Sequence, residues 1–215
     1  AYWYQGESNV GSWRGYDKLM KTMVSAWRSA WDHDFPFYFV QIAPFQYNNT
    51  PEPKAALLRE QQQKTALELP QTHMVVISDL VDNIQDIHPT QKVEVANRLA
   101  NITLAEQYGK ELLDYKSPVY KSHKIQGNSI EVRFLYSTGN LKIKGNQVSD
   151  LYIAGADRKF YPAQAKVKGN KLDVSAAEVK NPIAVRFGFT EIAMPNLYNA
   201  QGLPVAPFRT DDWSF

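Results

Sequence analysis

The chain has 215 residues, a net charge of +2 and no cysteine, which excludes disulfide frameworks and cysteine-based zinc sites. Its basic residues are scattered with no run of five like charges, so the sequence offers no patch for nucleic acid. No apolar stretch approaches the ~20 residues of a membrane span.

Short apolar runs alternate with helical periodicity through residues 1–109. The pattern predicts strands over 2–5, 37–43 and 73–78 and helices over 16–32, 55–69 and 89–108. In the first helix, Leu19, Met23, Trp27 and Trp31 recur every four residues, with Met20 and Val24 beside them. The third helix is predicted to start at Pro89 and to stop before Gly109. This alternation predicts an α/β fold, a parallel sheet with helices packed on its faces.

Residues 118–190 instead alternate with period two. Strands are predicted over 129–134, 151–154, 165–167, 171–174 and 183–189, separated by Gly-Asn turns. This part is predicted to be a small all-β sandwich, followed from residue 196 by an ordered, irregular tail. The predicted domains are therefore residues 1–113 and residues 114–215.

Ligands of parallel α/β sheets bind beyond the carboxyl ends of the strands. Three loops are predicted to lie there, over residues 5–9, 43–49 and 78–88. Gln41, Arg59 and Gln63 lie near these loops in the sequence, where packing or solvent exposure is the default expectation.

The sharpest of these sites is Asp86-Ile-His88-Pro89. If Pro89 starts a helix, His88 caps it, and the positive end of the helix dipole keeps the imidazole neutral, as a general base must be. A nearby carboxylate, Asp86 first, can orient the ring and stabilise the imidazolium that forms. A histidine that merely caps a helix is the structural alternative.

The loop after the first strand, Gln5-Gly-Glu-Ser-Asn9, supplies complementary groups. The Gln5 amide can donate to a developing oxyanion, a contact worth roughly 3–4 kcal/mol where one such donor has been deleted. Glu7 can brace the loop or serve His88. A turn at Gly6 with capping by Ser8 or Asn9 is the structural alternative.

Several blocks closely resemble the sialate O-acetylesterase family, in order and over essentially the whole chain. They are Trp3-Tyr-Gln-Gly-Glu-Ser-Asn9, Trp27-Arg28 with Trp31, Phe37-Tyr-Phe-Val-Gln-Ile-Ala-Pro44, Leu58-Arg-Glu60, Asp86-Ile-His-Pro89 and the ending Asn196 to Asp211. The resemblance implies an SGNH-type hydrolase with a three-layer α/β/α domain, of which residues 1–113 are a part. It also implies removal of acetyl esters from sugars without a metal or other cofactor.

In this resemblance His88 matches the catalytic histidine, and the block around Gln5 matches the oxyanion side. The family's catalytic serine lies in a Gly-Gln-Ser-Asn motif, which these 215 residues do not contain. The nearest string, Gly6-Glu-Ser-Asn9, belongs to the Gln5 block and lacks the second glycine of a Gly-x-Ser-x-Gly elbow. The triad acid stays open among Asp86, Glu7 and Asp82, because many SGNH enzymes carry Asp-x-x-His and this chain has Asp86-x-His88.

The resemblance favours an esterase acting on 9-O-acetylated sialic acid, with acetylated xylan as an alternative substrate. A noncatalytic carbohydrate-binding fragment is the alternative from a different class. The expected partners are an O-acetylated sugar and an upstream segment carrying the nucleophile, with no nucleic acid and no membrane. An exposed edge at the first strand can also favour self-association. The family further implies a periplasmic or secreted location.

Overall fold

The structure, a computed structural model, describes residues 1–47 and 52–215 and divides them into two compact units. The first unit comprises Ala1–Leu112 and Thr190–Ile192. It contains β1 (Tyr2–Tyr4), α1 (Tyr16–Ala30), β2 (Phe37–Val40), α2 (Lys54–Glu68), β3 (Thr72–Val75) and α3 (Lys92–Tyr108). The three strands are parallel in the order β1-β2-β3, which confirms the predicted parallel sheet.

Helices pack on both faces of this sheet. Consecutive residues of a strand point to opposite faces, so neighbouring residues of β1 contact different helices. On one face, the Trp3 ring packs edge-on against Trp27 of α1 with 5.7 Å between ring centroids. On the other face, the Tyr2 hydroxyl is hydrogen-bonded to Thr103 of α3 at 2.6 Å. All four residues of β2 are buried between the two helical layers.

Helix α1 does not face the core with the apolar residues that recur every four positions from Leu19 to Trp31. Met20 and Val24 are buried, whereas Leu19 and Trp31 are 60% and 66% exposed. Trp27 contacts Trp3 of β1, which has a neighbouring strand only on its β2 side. Trp27 of this stripe therefore lies beside the edge strand, and α1 is buried through the neighbouring stripe of Met20 and Val24.

The predicted start of α3 is wrong. The helix begins at Lys92 with Gln91 as its N-cap, so His88 and Pro89 lie in the preceding loop. The Asp82 carboxylate accepts hydrogen bonds from the side chains of Thr90 and Gln91, which hold this segment outside the helix. The predicted end is confirmed, since Gly109 follows the helix in a left-handed conformation with φ 62°.

The second unit, Leu113–Phe189 with Ala193–Phe215, consists of β-strands. They are β4 (Val119–Gln126), β5 (Ser129–Leu135), β6 (Lys142–Ile143), β7 (Leu151–Ala154), β8 (Phe160–Pro162), β9 (Gln164–Lys168), β10 (Lys171–Ser175), β11 (Ala184–Phe187), β12 (Leu197–Tyr198) and β13 (Phe208–Arg209). Two antiparallel four-stranded sheets, β4-β5-β10-β9 and β13-β11-β7-β8, contribute side chains to one apolar core. This is a sandwich, and its tail adds two short strands where an irregular segment was predicted.

The segment Thr190–Ile192 belongs to the first unit, which the predicted boundary between residues 113 and 114 does not include. The Arg59 guanidinium of α2 donates to the backbone carbonyls of Thr190 and Glu191, each at 2.8 Å. None of the helices in residues 1–47 and 52–215 combines the length and the hydropathy that a membrane-spanning helix requires.

Candidate active site

A cavity of about 400 Å³ lies where the loops after β1 and β3 leave the carboxyl edge of the sheet. Its lining residues are Tyr4, Glu7, Ser8, Ile87, His88 and Lys92. The structure therefore brings two of the predicted site residues, Glu7 and His88, to one cavity. Gln5 does not line it, and the predicted loop over 43–49 extends into residues 48–49, which lie outside the described residues.

The turn after β1 requires glycine at position 6. Gly6 has φ 152°, and a Cβ atom there would lie 2.7 Å from Cγ2 of Ile42 and 3.1 Å from Nε2 of Gln62. Such contacts are far shorter than van der Waals distances, so any side chain would displace the loop. The sequence predicted Gly6 as a turn residue, and this close packing is the physical reason for glycine there.

Two hydrogen bonds fix the orientation of the Gln5 amide. The Tyr16 hydroxyl donates to Oε1 of Gln5 at 2.8 Å, and Nε2 of Gln5 donates to Oδ1 of Asn9 at 2.7 Å. Because an amide nitrogen carries two protons, one remains for another acceptor. Burial, and then the Glu7 carboxylate, raise the pKa of Tyr16 to about 12, so this hydroxyl stays a donor at neutral pH.

Buried polar side chains of α2 hold the backbone of the loops after β1 and β2. Gln62 accepts from the backbone N–H of Ile42 at 3.0 Å and donates to the carbonyl of Gln5 at 3.2 Å. Arg59 donates to the carbonyls of Ile42 and Ala43 at 3.1 and 2.9 Å. Its complete burial lowers the pKa of Arg59 to about 10, and the side chain remains a cation at neutral pH.

His88 is held much more loosely. Its side chain is 84% exposed, and Nδ1 lies 3.5 Å from Oδ1 of Asp86, which also accepts the backbone N–H of His88 at 2.9 Å. Catalytic hydrogen bonds are often long before substrate binds, so this spacing is compatible with a base and its orienting acid. Asp82, another candidate for the triad acid, accepts hydrogen bonds from Thr90 and Gln91 rather than from His88, and these bonds lower its pKa.

Glu7 is the carboxylate that lines the cavity together with His88. Among the described residues, no hydrogen bond or ion pair occupies its carboxylate. It is close enough to Tyr4 to add to the burial that raises the pKa of that phenol. Glu7 therefore stays available for a ligand or for the imidazole.

The predicted helix-dipole effect on His88 does not apply, because the helix starts four residues later, at Lys92. Sequence analysis also missed Tyr16 and Gln62. Both lie on predicted helices, and the apolar periodicity of a helix does not show that a polar side chain is buried and hydrogen-bonded. Position 59, expected by default to be packed or exposed, is a fully buried arginine that links four backbone carbonyls. Within the part of the chain that the structure describes, no cluster of His, Asp or Glu is arranged to hold a metal ion.

Comparison with known proteins agrees with the resemblance seen in the sequence. A family model described as "Carbohydrate esterase, sialic acid-specific acetylesterase" matches residues 1–108. The sialate O-acetylesterases of Mus musculus and Rattus norvegicus are each 26% identical over 96% of this chain and 43% of their own length. The crystal structure of a carbohydrate acetylesterase from Xanthomonas citri has a TM-score of 0.91 and 39% identity.

That structural match covers 99% of this chain and 50% of the Xanthomonas citri chain. The chain thus spans half or less of the length of these relatives. The family model covers half of the chain, and the match includes the strands, the helices and the His88 cavity of the first unit. The chain belongs to the carbohydrate esterase family of sialic acid-specific acetylesterases.

Proposed function

We propose that this chain is the histidine-bearing part of a carbohydrate O-acetylesterase with an SGNH-type α/β/α domain. The observation that carries the proposal is the cavity that His88 and Glu7 share at the carboxyl edge of the parallel sheet. Parallel sheets bind their ligands at this edge, and an imidazole and a carboxylate are two of the groups that serine-dependent acyl transfer from an ester uses. Helices on both faces of the sheet support the assignment of the domain.

The proposed reaction is a two-step acyl transfer. His88 takes the proton of a serine hydroxyl as the serine oxygen attacks the acetyl carbonyl, and it gives that proton to the departing sugar oxygen. Water, deprotonated by His88, then attacks the acetyl-serine, and His88 returns that proton to the serine oxygen as acetate leaves. The remaining proton of the Gln5 amide is proposed to stabilise the oxyanion.

The serine is proposed to come from a part of the complete protein that precedes residue 1. These 215 residues contain no Gly-Gln-Ser-Asn motif, and the relatives are about twice as long. Ser8 lines the cavity, which makes it the alternative nucleophile within this chain. The triad acid is proposed to be Asp86, which is 3.5 Å from Nδ1 of His88, with Glu7 as the alternative.

Sialic acid esters are the proposed substrate, and Lys92 is the residue that favours them over neutral xylan. Lys92 lines the cavity beside His88, with Nζ 5.5 Å from the centre of the Tyr4 ring. No carboxylate of the described residues pairs with it, so its ammonium can bind the carboxylate of a sialic acid. The xylose units of xylan carry no such group, and acetylxylan is the second candidate substrate.

The test compares acetate release from 9-O-acetyl sialic acid and from acetylxylan by the complete protein. Sialate hydrolysis with a KM that rises in the Lys92→Gln variant supports the proposal, provided hydrolysis of p-nitrophenyl acetate is unchanged. Equal rates on both sugars, insensitive to Lys92, would favour the xylan alternative. A complete protein that releases no acetate from either ester would favour a noncatalytic binding role.

The isolated 215-residue chain is proposed to be inactive and to self-associate through β1. This strand is at the sheet edge, and Tyr2 is 59% exposed. Open strand edges with apolar side chains pair readily with other chains. Full esterase turnover by a monomer of this chain would refute the idea and return Ser8 to consideration as nucleophile.

A further inference from the structure

A second cavity, of about 480 Å³, lies at the amino edge of the parallel sheet, opposite the edge that carries His88. It is lined by the last turns of α1, by residues 32–34 before β2 and by residues 70–71 before β3. The esterase chemistry proposed above uses none of these groups. Their arrangement therefore calls for a separate explanation.

Arg28 is the buried charge of this cavity. Its residue is 8% exposed, Nε donates to the carbonyl of Phe35 at 3.0 Å, and Nη2 has no hydrogen-bond partner among the described residues. Neither Asp32 nor Asp34, which also line the cavity, forms an ion pair with it. A buried cation without a counter-charge is costly, so an anion from outside the described residues is the expected partner.

The rest of the cavity is polar and open to solvent, and Trp31 directly precedes the lining residue Asp32 in the chain. Asp32, Asp34 and Gln71 are exposed lining residues that can accept hydrogen bonds from hydroxyl groups. Trp31 is 66% exposed, and its ring packs against Phe35, which also lies beneath the Arg28 guanidinium at 5.8 Å. An exposed indole offers a flat apolar surface for the C–H face of a sugar ring.

We propose that this cavity is a second saccharide site, which binds the carboxylate of an acidic sugar. Arg28 binds the carboxylate, Asp32 and Asp34 accept hydrogen bonds from the sugar hydroxyl groups, and Trp31 packs against the sugar ring. The two aspartates are exposed, so solvent and salt screen their repulsion of the anion, whereas the buried charge of Arg28 is screened less. Such a site would hold an acidic glycan at the sheet edge away from the His88 cavity.

The test uses the complete protein labelled with 5-fluorotryptophan, with the Trp31 resonance assigned from a Trp31→Phe variant. The probes are N-acetylneuraminic acid, glucuronic acid and the neutral sugar xylose. We expect at least one of the two acidic sugars to shift the Trp31 resonance saturably, and we expect xylose to leave it unchanged. The two acidic arms show whether the site prefers a sialic or a uronic acid.

Arg28→Gln should weaken this binding by at least about tenfold, because it removes a charged hydrogen bond. The control variant Leu19→Ala, at a 60% exposed position of the same helix outside the cavity lining, should stay within about twofold of the wild type. If Arg28→Gln does not fold, Arg28→Lys keeps the charge and loses only the planar fork, and binding should still fall severalfold. A silent Trp31 resonance, an equal response to xylose, or unchanged binding in a folded Arg28 variant would overturn the proposal.

Discussion

The loops after β1 and β3 reach the same cavity, but they are held in opposite ways. The Gln5 loop is fixed by the Tyr16 hydroxyl, by the buried Gln62 amide and by close packing of Gly6 against Ile42. The loop that carries His88 places an 84% exposed ring next to an Asp86 carboxylate that is itself 55% exposed.

This difference matches what each side must do in acyl transfer. A donor to an oxyanion is effective when it is already oriented before charge develops, which favours a buried and rigid loop. A general base moves protons between several partners and can tighten its contacts when the substrate arrives. We therefore expect changes on the Gln5 side to affect both stability and rate, and changes at His88 to affect rate alone.

The largest effect is expected from His88→Ala in the complete protein. The kcat for acetate release should fall by about 10³-fold or more, as it does when a triad member is removed from serine hydrolases. Because the ring is exposed and does not cap α3, thermal unfolding should be nearly unchanged. His123→Ala in the second unit is the control, with an unchanged kcat. A variant that unfolds without a specific loss of rate would contradict the assignment of His88 as the base.

Arg59→Met should produce the largest loss of stability. The substitution leaves four backbone carbonyls without their donor in the interior, which we expect to cost about 3–5 kcal/mol in the free energy of unfolding. Chemical denaturation followed by circular dichroism measures it. Arg14→Met is the matched control, since its side chain is 66% exposed and the change should cost at most about 1 kcal/mol. Equal losses in the two variants would mean that the bonds of Arg59 to buried carbonyls do not stabilise the fold.

Tyr16→Phe should have a smaller effect on both quantities. Losing the hydroxyl costs about 1 kcal/mol of stability and leaves the Gln5 amide oriented only by its bond to Asn9, so kcat should fall severalfold with KM little changed. Tyr38→Phe removes a comparable hydrogen bond, from Gln107 at 2.8 Å, on the α3 side of the sheet. That control should lose similar stability and keep its kcat. If both variants keep full activity, Gln5 does not act as the oxyanion donor.

Local signals in the sequence predicted the parallel sheet, the order of its elements and the glycine that ends α3. They could not show which of two adjacent apolar stripes of α1 faces the core, because both satisfy helical periodicity. They also left Gln62 unnoticed, since its burial depends on bonds to Gln5 and Ile42, far away in the chain. The start of α3 was wrong for the same reason, because Asp82, several residues upstream, holds Thr90 and Gln91 out of the helix.

Asp82→Asn should give the smallest effect, and one that depends on pH. Bonds from Thr90 and Gln91 lower the pKa of Asp82 below its ordinary value of 3.8. The unfolded chain therefore binds the proton more readily, so the carboxylate stabilises the fold fully above 3.8, and this contribution is lost as the pH falls through the lowered pKa.

The melting temperature of the wild type should thus exceed that of Asp82→Asn slightly at about pH 6, and the gap should close towards about pH 2. Thr90→Ala removes one of the two partners of the carboxylate and should show a gap that closes in the same pH range. That result would mean that the conformation of the exposed His88 loop depends on the Asp82 carboxylate, whereas the Gln5 loop depends on several buried hydrogen bonds. A gap that stays constant at every pH would mean that the charge of Asp82 does not hold this loop.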